Sequence, residues 1–183
     1  EVDAVMQSVD VPTIYEVPIK MQDQGMDEII LRKFGMEITE RPDLKPWRAF
    51  LDKKTNAKET VRIGLVGKYV ELPDAYKSIN ESLLQAATYN DRKLDLNFIH
   101  SDKLTEENVA SKLASMDGLI IAPGFGQRGI EGKFIALKYA RENDVPTFGI
   151  CLGMQCMVIE YARNVLGLEE ANSTEMNPHT PFK

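Results

Sequence analysis

At 183 residues the chain has room for one domain of about 150 residues with its own hydrophobic core, plus a flanking segment. Its 22 Lys and Arg against 28 Asp and Glu leave a net charge of −6, with 43% hydrophobic and 27% charged residues, which excludes a general nucleic-acid binder needing a basic face for phosphates. No uncharged apolar run approaches the roughly 18 residues of a membrane helix, and the acidic start EVDAVMQSVD is unlike a secretory signal, so the expectation is a cytoplasmic protein with no nucleic-acid or membrane partner.

Glu stands at position 1, and the closing ANSTEMNPHTPFK is loop-like in composition straight after a helical stretch, so the chain reads as a piece of something longer. Residues 1–60 differ from the rest. An extended stretch is predicted around VPTIYEVP (11–18), then a helix through MDEIILRKF closed by Gly35. A short helix follows with Asp43 as N-cap, Pro46 in its first turn, and Trp47, Phe50 and Leu51 on one face. The polar run KKTNAKET places a domain boundary near Glu59.

From Val61 onward strands and helices alternate. Strands are predicted at 61–67, 94–100, 118–122 and 146–150; the third, GLIIA, is continuously apolar, as a strand buried on both faces requires. Helices are predicted at 74–90, 105–115, through KFIALKYAREN and at 152–165, the second capped by Thr105 with Asn108 where a capping box takes Glu or Gln. The order βαβαβαβα demands an α/β fold with a doubly wound, mostly parallel sheet, flavodoxin- or Rossmann-like, preceded by a helical and linker segment. In such sheets chemistry sits at the carboxyl ends of the strands.

The last strand delivers Cys151 at that end, flanked at two residues on either side by Gly149 and Gly153, the GxSxG spacing with sulfur in place of oxygen. Side chains at those flanking positions would collide at a sharp strand-to-helix turn, and a helix N-terminus favours a thiolate. The alternative is a buried structural cysteine. Cys156, five residues on, falls inside the helix beside Met157 and Ile159, where a thiol is a small buried hydrophobe. Two cysteines without a second pair of soft ligands make no zinc site, so no metal is assigned. The loop PGFGQRGIEG ends the preceding strand and can lie beside the elbow. Leu152 N–H then supplies one oxyanion donor, and Gly124 the other, because Pro123 has no N–H. A phosphate loop or a plain tight turn is the other reading, and Gly124, Gly126 and Gly129 fit GxGxxG poorly.

VGKYVELPDAYKSINESL (66–83), PGFGQRGIEGK (123–133), GICLGMQ (149–155) and ARNVLGLEEANSTE (162–175) together resemble the CTP synthases, class I glutamine amidotransferases of pyrimidine biosynthesis, over essentially the whole chain. The resemblance implies the closing part of a synthetase (amidoligase) domain at 1–35, an interdomain linker at 36–60 and the first half of a glutaminase domain at 61–183. It implies a C–N ligase that makes CTP from UTP with ATP, Mg and ammonia released from L-glutamine, acting as a homotetramer and activated by GTP. Cys151 would be the nucleophile. Gly124, Leu152, Gly153, Met154 and Gln155 match positions that hold glutamine, and Glu175 one that receives its α-amino group. Phe125, Arg128, Gly129 and Glu131 match the GTP-linked lid loop, for which a solvated Arg128–Glu131 pair and a core Phe125 are the bland alternatives. Val9, Asp10 and Val11 match a segment near the ATP adenine.

The family more often reads PGGFG where this chain has APGFG, so Pro123 should stiffen the turn while sparing Gly124. Its catalytic histidine precedes an acidic residue by two positions; His100 does not match it, and His179 is followed there by Pro181. The base, the strands completing the sheet, and the nucleotide loop with its Mg ligands are therefore expected outside residues 1–183. Alone, the fragment is expected to be inactive, to bind no cofactor, and to expose a strand edge and apolar helix faces. The alternatives are a glutaminase-like binding module without turnover, another class I amidotransferase, or a thiol hydrolase of similar fold.

Overall fold

In the first part of the chain, helix begins where the sequence predicts extended backbone. The computed structural model describes residues 2–72 and 74–183, in two compact units that divide between Ala57 and Lys58. Within VPTIYEVP, a 3-10 turn at Ile14–Glu16 leads into α1 (Val17–Asp23). Thr13 Oγ1 accepts from the Tyr15 N–H at 3.5 Å, and Pro18 occupies the first turn of α1. The competing force is nonlocal. Tyr15 packs against Trp47 and Phe50 at ring distances of 5.8 and 5.5 Å, and Trp47 Nε1–H donates to the Tyr15 carbonyl at 2.7 Å.

Helix α2 (Met26–Lys33) ends at Gly35, whose φ of 64° lets Gly35 and Met36 return N–H bonds to Arg32 and Leu31. Helix α3 (Lys45–Asn56) has Pro46 in its first turn, and Asp43 Oδ1 accepts from the Lys45 N–H at 2.9 Å. It continues through Lys53–Asn56, where the polar composition suggested loop.

The second unit carries four parallel strands in the order β2-β1-β3-β4: β1 (Glu59–Gly67), β2 (Arg92–His100), β3 (Gly118–Ile121) and β4 (Thr147–Gly149). Four helices connect or follow them: α4 (Lys77–Tyr89), α5 (Val109–Leu113), α6 (Ile130–Glu142) and α7 (Leu152–Asn164). The predicted α/β parallel fold stands. Helices α4 and α5 are shorter than predicted. Ahead of α5 the chain spends its first turn on capping: Asn108 Oδ1 accepts from the Thr105 N–H at 3.0 Å, the half of a capping box that the sequence placed there.

Strand order reverses at β1, which pairs with β2 on one side and β3 on the other, so the crevice between the carboxyl ends of β1 and β3 is the switch point where such sheets bind ligands. The core beneath it is Val66, Leu113, Leu119, Ile121, Leu152 and Cys156, all buried. Glu160, also buried, is gripped by Arg141 Nε at 3.1 Å and Nη2 at 2.9 Å, which fixes α7 against α6. β4 is an edge strand with Phe148 exposed, and α7 exposes Met154, Val158 and Tyr161. Among the described residues no helix is long and apolar enough to cross a membrane.

Candidate active site

Cys151 caps α7 with φ 52° and ψ −111°, a backbone conformation that side-chain-bearing residues rarely adopt, and it is exposed. Such strain costs on the order of 1–3 kcal/mol and persists only where the surroundings over-determine it. Here they do. Ile150 N–H donates to the Ile121 carbonyl at 3.0 Å, tying the elbow to the end of β3, and Gly153 N–H donates back to Ile150 O at 2.8 Å. Both flanking glycines are sterically required. A Cβ on Gly149 would stand 2.6 Å from the Gly153 carbonyl carbon and the Met154 nitrogen, and one on Gly153 would stand 2.0 Å from the Ile121 oxygen. Cys156 is fully buried, and burial pushes its thiol up to about 11, partly opposed by the nearby Lys133 charge.

The loop behind β3 runs along the switch-point crevice. Ala122 N–H donates to Val66 O at 2.9 Å, and Gly124, buried, lies against Lys68 and Leu152: a Cβ there would stand 3.2 Å from Lys68 Cε and 3.7 Å from Leu152 Cδ2. Buried Lys68 donates its Nζ hydrogen bond to the Phe125 carbonyl, while the Phe125 side chain is exposed and so is not a core aromatic. Gln127 Nε2 donates to Met176 O at 3.0 Å. Arg128 pairs with Asp102 at 2.6 Å instead of with Glu131, also donates to Lys68 O at 3.4 Å, and sits over the Tyr69 ring at 5.6 Å. Gly129 has φ 77°, and a Cβ there would meet Ser101 Oγ at 2.4 Å; exposed Glu131 follows in the first turn of α6.

Two lysines escaped sequence reasoning. Lys68 lay in plain view in the VGKY motif, behind a glycine whose Cβ position the Tyr76 hydroxyl occupies at 2.4 Å. Lys133 is wholly buried, with its Nζ donating to the Ala122 carbonyl at 2.6 Å; burial pushes its ammonium down, the nearby thiols push it up, and Lys68 pushes it down. Its signal was a cation at an apolar position of α6, in register with Ile130, Ala136, Leu137 and Ala140.

In the stretch matched to glutamine binding, the Gly153 and Gln155 N–H groups are committed to Ile150 and Cys151 carbonyls, and the Leu152 side chain is buried. Gln155 Oε1 is buried with no donor among the described residues, an orphan of the kind that a ligand satisfies. Met154 and Gln155 line a cavity of about 270 Å³ together with Asn172 and Ser173, which brings the ANSTE turn beside the head of α7. Glu175 is exposed in that turn, its N–H on Ser173 Oγ at 3.3 Å.

Val9, Asp10 and Val11 lie in irregular chain in the first unit, with Val9 and Asp10 exposed. His100 ends β2, two intervening strands from β4, with Nδ1 3.8 Å from Asp102 and Nε2 3.9 Å from Glu71; His179 is exposed and its N–H is on Asn177. His100 is therefore not placed to serve Cys151. The described residues hold no cluster of three or more His, Cys, Asp or Glu side chains that could hold a metal ion.

Three comparisons bear on this geometry. The family model for class I glutamine amidotransferases matches residues 71–180. The CTP synthase of Porphyromonas gingivalis is 65% identical over 181 residues, 99% of this chain and 34% of that protein. That of Bacteroides fragilis is 62% identical over 178 residues, 97% of this chain and 33% of that protein. The chain thus spans about a third of the length of these curated relatives. Among solved structures, the glutaminase domain of Trypanosoma brucei CTPS with bound acivicin superposes with a TM-score of 0.62 at 38% identity, covering 67% of this chain and 48% of that one.

Proposed function

The chain belongs to the class I glutamine amidotransferases, and from that premise we propose that it is the glutaminase-bearing part of a CTP synthase that hydrolyses L-glutamine at Cys151. The observation that carries the proposal is the elbow: an exposed thiol held at φ 52° between two glycines that nothing larger can replace. The close likeness to CTP synthases on 99% of the chain supports the identity of the whole enzyme.

In the proposed mechanism Cys151 Sγ attacks the carboxamide carbon of glutamine. The carbonyl oxygen becomes an oxyanion received by the Leu152 and Gly124 N–H groups, and collapse expels ammonia and leaves a glutamyl thioester that water hydrolyses. Gly153, Met154 and Gln155 form the bed for the substrate, with the orphan Gln155 oxygen accepting from it, and Glu175 receives the α-amino group. The base is assigned to a His-x-Glu pair elsewhere in the full-length enzyme, because His100 lies two intervening strands from β4 and His179 is followed two residues on by Pro181, not by an acidic residue. Alone, residues 1–183 would then be inactive.

The ammonia passes to the synthetase domain, which phosphorylates UTP with ATP and Mg and forms CTP in a cytoplasmic homotetramer. Residues 1–35 close that domain, with Val9, Asp10 and Val11 near the ATP adenine, and 36–60 link it to the glutaminase. Phe125, Arg128, Gly129 and Glu131 form the GTP-responsive lid. The test is labelling of the full-length enzyme with a glutamine-analogue electrophile. Stoichiometric modification of Cys151, prevented by glutamine, is expected; labelling elsewhere, with Cys151 untouched, rejects the proposal.

A further inference from the structure

We propose that the buried Lys133 ammonium is the positioning residue for the oxyanion side of this site, holding the carbonyl end of β3 so that the Gly124 N–H faces the oxygen of the attacked carbonyl and supplying positive charge beneath the anion formed at Cys151. The inference rests on the glutaminase reading above and deepens it. Lys133 is 0% exposed, the largest fully buried side chain among the described residues. Its hydrogen bond goes to the carbonyl of Ala122, two residues before Gly124, at 2.6 Å. A Cβ on Gly124 would stand 3.9 Å from the Lys133 Nζ. Among the described residues, the ionisable groups acting on the ammonium are Cys156 from α7, Lys68 from the loop behind β1, and Cys151 from the elbow, with no carboxylate among them.

A buried cation without a carboxylate is costly, and a helix position serving only the core is better filled by Met or Leu. Charges retained against that cost concentrate at functional sites. The direction of Lys133 is also fixed. A Cβ on the preceding Gly132 would stand 1.8 Å from the Ser101 carbonyl oxygen, so α6 lies hard against that backbone. What the side chain reaches is the peptide from which the oxyanion loop departs. Lys68 holds the same loop through the Phe125 carbonyl.

The test uses the full-length enzyme with Lys133→Met, which keeps the stem and removes the charge, and Lys133→Gln, which keeps a donor for Ala122 without the charge. For Lys133→Met the glutaminase kcat should fall roughly 100-fold, the scale of losing one oxyanion donor, with the KM for glutamine little changed. Alkylation of Cys151 by iodoacetamide should shift its midpoint to higher pH. Ammonia-dependent synthesis, which does not use this site, should continue, and Tm should hold or rise because a buried charge has gone. Lys133→Gln should recover part of kcat but not the alkylation midpoint. Wild-type glutaminase and alkylation profiles in both variants overturn the role, as does a loss of kcat matched by lost ammonia-dependent synthesis and a lower Tm. Cys151→Ala run in parallel separates the two readings. If it keeps glutaminase activity, the glutaminase reading itself fails; if it is inactive while Lys133→Met behaves as wild type, only the role of Lys133 is lost.

Discussion

The head of α7 and its second turn carry the same side chain five residues apart, yet they are chemically opposite. Cys151 is exposed, in a left-handed backbone conformation, at the end of the helix where N–H groups lack intrahelical partners. Cys156 is in regular helix, dry, with a thiol raised to about 11. Backbone conformation and access to water, not residue type, set the two sulfurs apart. The same glycines that make Cys151 reachable let α7 press against β3 and bury Cys156.

The sharpest way to break that contrast is to remove the exposed thiol. Cys151→Ala in the full-length enzyme should reduce glutamine-dependent CTP synthesis by at least ~10⁴-fold while ammonia-dependent synthesis continues. Loss of both, measured side by side, would mean that the thiol serves something other than glutamine attack. Next in size is Gly153→Val, which forces carbon into the space 2.0 Å from the Ile121 oxygen. Because backbone cannot yield as a side chain does, the cost should exceed ~3 kcal/mol, seen as a lower urea midpoint together with lost glutaminase activity. Gly124→Val meets nothing closer than the flexible end of Lys68, at 3.2 Å, and no backbone atom within 4 Å is among its three nearest neighbours. It should therefore keep the urea midpoint within ~1 kcal/mol of wild type and obstruct the oxyanion site, costing about 3 kcal/mol of transition-state stabilisation. Equal urea midpoints for the two valine variants would remove the distinction between elbow and loop.

Legibility divided along the same line of burial. Strand β3 and the elbow were readable because each carries a local cause: continuous apolar residues for a doubly covered strand, and glycines at two residues on either side of a strained cysteine. The stretch VPTIYEVP misled because its helix is held by Trp47 and Phe50, more than 30 residues away, through contacts that periodicity cannot show. The ends of α4 and α5 shifted inward where turns capture the first residues, as at Thr105. In the candidate site, Cys151 and Gly124 could be put forward from spacing and from proline's missing N–H. Lys68 and Lys133 could not be given roles, because a lysine in an apolar pattern carries no sign of what its ammonium meets; only the fold brings Lys133 to the Ala122 carbonyl.

The smallest effect tests the dry end of the comparison. Cys156→Ala removes one buried sulfur and should cost ~1 kcal/mol or so at pH 8, leaving glutaminase activity intact. The informative measurement is its pH dependence. The folded thiol titrates near 11 against an ordinary 9.0, so its contribution to stability is fully present below pH 9.0 and is lost as pH rises from there to about 11. At 1.36 kcal/mol per unit, wild type should lose up to about 2–3 kcal/mol more than Cys156→Ala across that window. Lys133 acts with the opposite sign: burial lowers its value from 10.5, so its penalty is fully present at low pH and is relieved as pH rises towards 10.5. Because both variants share that lysine, the difference between their urea midpoints at pH 8, 9, 10 and 11 isolates the thiol in the main. A difference that stays flat across the series would mean that water or cation reaches Cys156 in the folded protein. The contrast between the two cysteines would then rest on backbone strain alone.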